Sequence, residues 1–267
     1  MESDLQELAD KAVRFATDSG TQYCDIRAEH YERKEALIEN NETEYTRTSN
    51  DSGIGVRLVK GGTWSFFSIT NPDSFEQIKN SIEKAIKNST HYANNKKNKI
   101  NLHPNSHIKS KINFPVLKNP TIEELISISN ECSKIISNTS RIIKSIINPQ
   151  YTNSSKYFTN SEGSEILQNY TDVTVDMIAI AHESGITQSI NVTEGGRGGI
   201  EQIINKNKIQ NKAQEIASRA ASLIDAKPAK EDKTTVVMNP YFISLLTHYI
   251  LGHPSEADRV MGKEMAW

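Results

Sequence analysis

The sequence predicts an α+β fold of two-layer sandwich domains, antiparallel strands packed on helices. Three observations predict it. Apolar residues recur at helical spacing in segments that flank stretches of alternating or β-branched residues. Those stretches are punctuated by Asn-Asn and Gly-Gly turns suited to hairpins. The order helix, strands, helix occurs twice along the 267 residues, a length that suits about two domains.

The first unit is assigned to residues 1–90. Leu5, Leu8, Ala12, Val13, Phe15 and Ala16 form one helical stripe, which Ser19-Gly20 ends. Tyr23 to Tyr31 alternates, with Cys24, Ile26 and Ala28 on one face. Glu35–Asn40 and Glu44–Ser49 read as strands joined by a polar turn at Asn40-Asn41. Gly53 to Val59 and Thr63 to Ser68 read as a hairpin about Gly61-Gly62. Ser74 to Asn88 is a second helix with Phe75, Ile78, Ile82, Ala85 and Ile86 as its apolar face. Trp64, Phe66, Ile78 and Ile82 are the expected core of this unit.

Residues 91–120 are polar, basic and proline-containing, and read as a linker or surface loop. The second unit, residues 121–224, opens on a capping box of Thr121 and Glu124 before a helix to Ser137. Strands follow at Arg141–Tyr151, Ser154–Asn160, Ser164–Tyr170 and Thr171–Glu183, then a glycine loop at Thr193–Gly199 and a helix at Ile209–Leu223. That glycine run lacks the Gly-Lys-Ser/Thr ending of a phosphate-binding loop and reads as a turn. A third unit occupies residues 225–267. It begins with a short apolar strand at Thr234–Met238, then a helix from Tyr241 to Leu251 capped by Asn239 with Pro240 at its first position.

Composition excludes several classes of function. A net charge of −2 and a pI of about 6.4 offer no general attraction to phosphate backbones or anionic lipid. No nucleic-acid or membrane partner is expected. The N-terminus is acidic and amphipathic rather than a signal peptide, and no apolar run reaches the ~18 residues of a membrane span. Cys24 and Cys132 form no disulfide framework and read as reduced thiols of a cytoplasmic protein. His103 and His107 fall in the polar loop and read as surface residues.

Chemistry concentrates near the end of the chain. His248 and His253 stand five residues apart at the end of the third-unit helix. A regular α-helix, at ~3.6 residues per turn, would point them in different directions. Gly252 and Pro254 supply the expected break that swings His253 back toward His248. Imidazoles are common zinc ligands. Spacing alone leaves two readings open: a shared metal ion, or helix-end imidazoles facing carbonyls.

His248, Gly252, His253, Glu256 and Asp258 together resemble the zinc motif of the TldD/PmbA family, the metallopeptidases long labelled modulators of DNA gyrase. Ala226–Ala229, Val236–Pro240, Cys24–Arg27, Gly53–Arg57, Gly62–Trp64 and Asn160–Gly163 are similar to other family segments, so the resemblance covers nearly the whole chain. It implies zinc held by His248 and His253, cleavage of unstructured peptides, and a homo- or hetero-oligomer with a related subunit. It also implies that the third unit starts a mostly β C-terminal domain whose cysteine is the third zinc ligand.

Two departures qualify those expectations. The family's general-base glutamate is Tyr249 here, and a tyrosine with a reference pKa near ~10 is a poor base at neutral pH. Glu256 is a weak alternative base or ligand. The chain stops at Met265–Trp267, in mid-segment, with neither Cys24 nor Cys132 in a ligand-like context. A fragment, or a non-catalytic interaction subunit, is therefore the competing expectation. Leu245, Leu246 and Ile250 are expected to be more exposed than core residues.

Overall fold

A computed structural model describes residues 2–94, 99–103, 106–204 and 208–262. Met265–Trp267 and part of the 91–120 loop thus lie outside the described residues. The chain divides after Ala226 into two units.

The first unit runs α1 (Glu2–Asp18), β1 (Tyr23–Glu39), β2 (Glu42–Lys60), β3 (Thr63–Thr70), α2 (Phe75–Ala93), β4 (Lys109–Asn113), α3 (Ile122–Ser137), β5 (Ile142–Asn160), β6 (Glu165–Glu183), β7 (Ile186–Arg197), α4 (Glu201–Ile204) and α5 (Lys208–Leu223). The strands form one sheet in the order β3-β2-β1-β5-β6-β4, with β7 also paired to β6. All pairs are antiparallel except β4 with β6. The α+β assignment holds, and the two helix–strand–helix stretches share this sheet through the pairing of β1 with β5.

Several separate strands of the sequence reading fuse. β1 runs through the charged stretch Glu32–Glu35, where the pattern appeared to break. Those residues are paired on both sides, by β2 and β5, so their backbone bonds are satisfied whatever their side chains do. The charges are met laterally, Lys34 on Glu32 at 3.1 Å and Arg47 on Glu35 at 3.3 Å. Asn40 and Asn41, both at positive φ, close the β1–β2 hairpin as their turn chemistry demands. Lys109–Asn113, read as loop, is a short parallel edge strand. The glycine run is not a loop either: Gly195 and Gly196 continue β7, and a Cβ on Gly195 would lie 2.1 Å from the Val173 carbonyl oxygen.

The helices of this unit pack on one face. On β1, Cys24, Ile26 and Ala28 meet α1 and α2, while Ala36 and Ile38, of the same parity, meet the cluster under α3 and α5. Two apolar clusters therefore lie along one side of one sheet. Ile78 and Ile82 are fully buried as expected, but Trp64 and Phe66 are 39% and 69% exposed. β3 explains the correction: Thr63, Ser65, Phe67 and Ile69 alternate toward the helices, which puts Trp64 and Phe66 on the opposite, helix-free face. There Arg57 lies over the Trp64 ring and Tyr23 meets it edge-on.

The second unit, taken by itself, holds α6 (Pro240–Thr247) and α7 (Ala257–Val260) with tighter and wider turns between them. Its described residues contain no strand, so Thr234–Met238, read as a strand, is coil. Asn239 caps α6 as read, its Oδ1 accepting the Phe242 N–H at 2.8 Å. Leu245 and Ile250 are 46% and 57% exposed and Leu246 is half-buried, as expected of this segment.

Candidate metal centre

The helix that carries His248 does not break at Gly252. It widens. His253 N–H donates to the His248 carbonyl, closing an i→i+5 turn over His248–Gly252. An α-helix advances ~100° per residue, so a five-residue step would separate the two imidazoles by about 140°. The wider turn returns residue 253 to the side of residue 248, and the ring centroids lie 4.4 Å apart. Gly252 keeps helical angles, φ −64° and ψ −60°, so the swing expected of a glycine break is replaced by a change of pitch. Such single wide turns occur disproportionately at functional sites.

Pro254 then starts a tight turn, His253–Ser255, that a proline without an N–H tolerates. Ser255 Oγ donates to the Leu251 and Gly252 carbonyls, at 2.7 and 2.9 Å, at this helix end. Glu256 is extended and its carboxylate reaches back to His253 Nδ1 at 2.6 Å. In the neutral tautomer that donates from Nδ1 to this carboxylate, Nε2 keeps its lone pair. Tyr249 lies 5.3 Å from the His253 ring, centroid to centroid, and is 55% exposed.

The structure thus gathers all four predicted residues, His248, Tyr249, His253 and Glu256, and gives Glu256 a partner that the sequence reading did not assign. The His-x-x-Glu spacing was the available signal, because it sets the two side chains one turn apart. Two imidazoles suit two positions of a tetrahedral zinc site. Among the described residues no group of three or more His, Cys, Asp and Glu converges to complete one. Cys24 and Cys132 are buried in the two clusters of the sheet unit, and burial pushes both thiols up to about 12, away from the thiolate a metal requires. His103 and His107 are exposed, as read.

Comparison with known proteins decides the family. Residues 24–89 match the model of PmbA/TldA metallopeptidase domain 1, and residues 115–224 match that of the PmbA/TldA metallopeptidase central domain. The chain belongs to the TldD/PmbA family. It is 30% identical over 246 residues to a metalloprotease of Methanocaldococcus jannaschii, covering 90% of this chain and 52% of that protein. It is 24% identical to the zinc metalloprotease TldD homolog of Saccharolobus solfataricus, over 93% of this chain and 53% of that protein. The chain therefore spans about half the length of these relatives. Among solved structures, a protein described as a modulator of DNA gyrase from Bacteroides thetaiotaomicron has a TM-score of 0.66 at 14% identity, covering 80% of this chain and 48% of that one. TldE from Thermococcus kodakarensis has a TM-score of 0.53 at 15% identity, covering 82% and 47%. At these identities the two structures speak for the fold alone. Among the described residues, no helix is long and apolar enough to cross a membrane.

Proposed function

We propose that this chain is a TldD/PmbA-type metallopeptidase subunit that acts on unstructured peptides and whose own turnover is impaired. The observation that carries the reading is the pair of imidazoles at 4.4 Å on the widened turn, with His253 held by Glu256. His248 and His253 would hold the zinc, which when bound polarises a carbonyl and acidifies a water. Glu256 keeps the His253 proton on Nδ1 and so presents Nε2 to the ion, a positioning role rather than that of a base. Tyr249 occupies the place where the family has its general base. A phenol is a far poorer proton acceptor than a carboxylate. Loss of a general base costs about 10²–10⁴-fold in rate.

The same tyrosine favours a second reading, a non-catalytic subunit paired with a related, catalytic one. The names of the relatives, metalloprotease and zinc metalloprotease, support the chemical class. A cytoplasmic location, a division into domains at 1–90, 121–224 and 225–267, and a peptide rather than nucleic-acid partner complete the reading. The test is cleavage of a disordered peptide in the presence of zinc. Negligible hydrolysis by the chain, unrestored by Tyr249→Glu alone because the described residues offer only two imidazole ligands, is the expected result. Rapid, chelator-sensitive hydrolysis by the unaltered chain would overturn it.

A further inference from the structure

The face of the sheet opposite the helices carries a trough of about 480 Å³ whose floor is Gly53 and Gly55 on β2. Glycine in a strand interior weakens the strand and commonly marks a place where another backbone or a ligand approaches. Here local structure does not require it. Neither glycine is among those at positive φ. A Cβ on Gly55 would meet the Phe66 ring at 3.7 Å, and one on Gly53 the Ile69 carbonyl oxygen at 3.4 Å, both ordinary contacts. What the two glycines do is leave the trough floor bare between β1 and β3.

The walls carry both signs of charge: Glu29, midway along β1, is paired with Lys156 at 3.1 Å, which leaves Arg27 toward one end and Asp51 at the other. At one end Asp25, fully buried, is shared by two guanidinium groups. Arg57 donates through Nε and Nη2 to its carboxylate, and Arg27 through Nη1. Two cations on one carboxylate leave one net positive charge. The Arg27 side chain is 55% exposed, is held over the Phe158 ring at 5.1 Å, and lines the trough. Arg27 donates to Asp25 through Nη1, and its guanidinium carries further N–H donors beyond that bond. At the other end is Asp51, which faces Tyr31 in the β1–β2 register. Arg27 to Tyr31 is four residues of strand, about 13 Å at ~3.3 Å per residue. An extended peptide of about four residues has that length, with a carboxylate at one end and an amine at the other. Phe66, 69% exposed on the β3 side, offers a ring to its side chains.

We propose that this trough binds a short extended peptide with free ends, its terminal carboxylate on Arg27 and its amine toward Asp51. The proposal shares with the peptidase reading only the chemical class of the ligand. It is tested in a chelator, so that failure of the metal site leaves the outcome unaffected. Calorimetric titration of the full chain with an unblocked tetrapeptide containing one aromatic residue should show binding. C-terminal amidation of the peptide, and Arg27→Gln in the protein, should each weaken it at least about 10-fold, the size of one lost charge-assisted hydrogen bond. Gly55→Leu should abolish binding by filling the floor. Ser68→Tyr, a change on an exposed position of β3 that also enters the trough, does the same should Gly55→Leu fail to fold. No heat of binding at millimolar peptide, equal affinity for the acid and the amide, or full affinity in a folded Gly55→Leu or Ser68→Tyr variant would overturn the proposal.

Discussion

The sheet unit and the segment after Ala226 both carry helices with apolar residues, and these have opposite fates. In the sheet unit Ile78, Ile82 and Leu125 are 0% exposed, each helix stripe meeting one face of the sheet. In the segment, Tyr241 is 81% and Val237 94% exposed, although the helix there is the most apolar of all by sequence. The difference teaches that an apolar stripe specifies burial only where a complementary face exists. In the segment, order comes instead from local devices: the Asn239 cap, the i→i+5 turn, and the Ser255 and Glu256 side chains. The geometry of the imidazole pair rests on those devices.

The comparison is broken most forcefully by truncating the sheet unit. Ile82→Ala in α2 and Leu125→Ala in α3 should each destabilise by about 2–5 kcal/mol. Because β1 and β5 join both clusters in one sheet, both variants should lower the same unfolding transition in a thermal melt. Two separate transitions, each shifted by one variant alone, would show that the clusters fold independently.

Arg57→Met should come next, at about 3 kcal/mol, the low end for stranding a buried charge, because Arg27 remains on Asp25. Asp25 accepts from both arginines, and Arg57 is held above its ordinary pKa chiefly by its hydrogen bonds to that carboxylate. Asp25→Asn leaves two half-exposed guanidiniums that water can serve. It should therefore cost less than Arg57→Met in chemical denaturation, and the reverse order would contradict this account.

Glu201 gives the pH-dependent member of the series. Its carboxylate accepts from the Gly199, Leu117 and Lys118 backbone N–H groups, tying the segment before α3 to the turn after β7. Partial burial works to raise its pKa, but these backbone bonds outweigh it and the net shift is downward from 4.5. A depressed folded-state value means stability that is present above the unfolded pKa and lost as pH falls through the folded one. The chain should therefore lose stability on acidification below pH 4.5 more steeply than Glu201→Gln does, with denaturation midpoints across that range as the readout. The smallest effect belongs to the segment: Ile250→Ser, at an exposed position, should change the stability of the sheet unit by no more than about 0.5 kcal/mol.

Much of this was legible in the chain. The caps at Thr121 and Asn239, the Asn40-Asn41 and Gly61-Gly62 turns, and the buried stripe of α2 follow from local chemistry that needs no tertiary partner. Trp64 and Phe66 were misplaced because large aromatics read as core, whereas strand parity, fixed by Phe67 and Ile69 packing inward, sends them to the other face. The long strands were hidden because Glu32–Glu35 and Ser52 interrupt the apolar pattern without interrupting pairing. At the candidate centre the need to bring His248 and His253 together was legible and the turn that does so was not. A five-residue spacing signals that the helix must depart from α geometry, but it does not say whether by a break or by widening.

The most direct test of the central claim is a zinc titration of the full chain beside its His248→Ala, His253→Ala and Glu256→Gln variants. The imidazole pair predicts one weak zinc equivalent, lost in either histidine variant, and about 10–100-fold weaker when Glu256 no longer orients His253. Zinc binding that is unchanged in both histidine variants would contradict it.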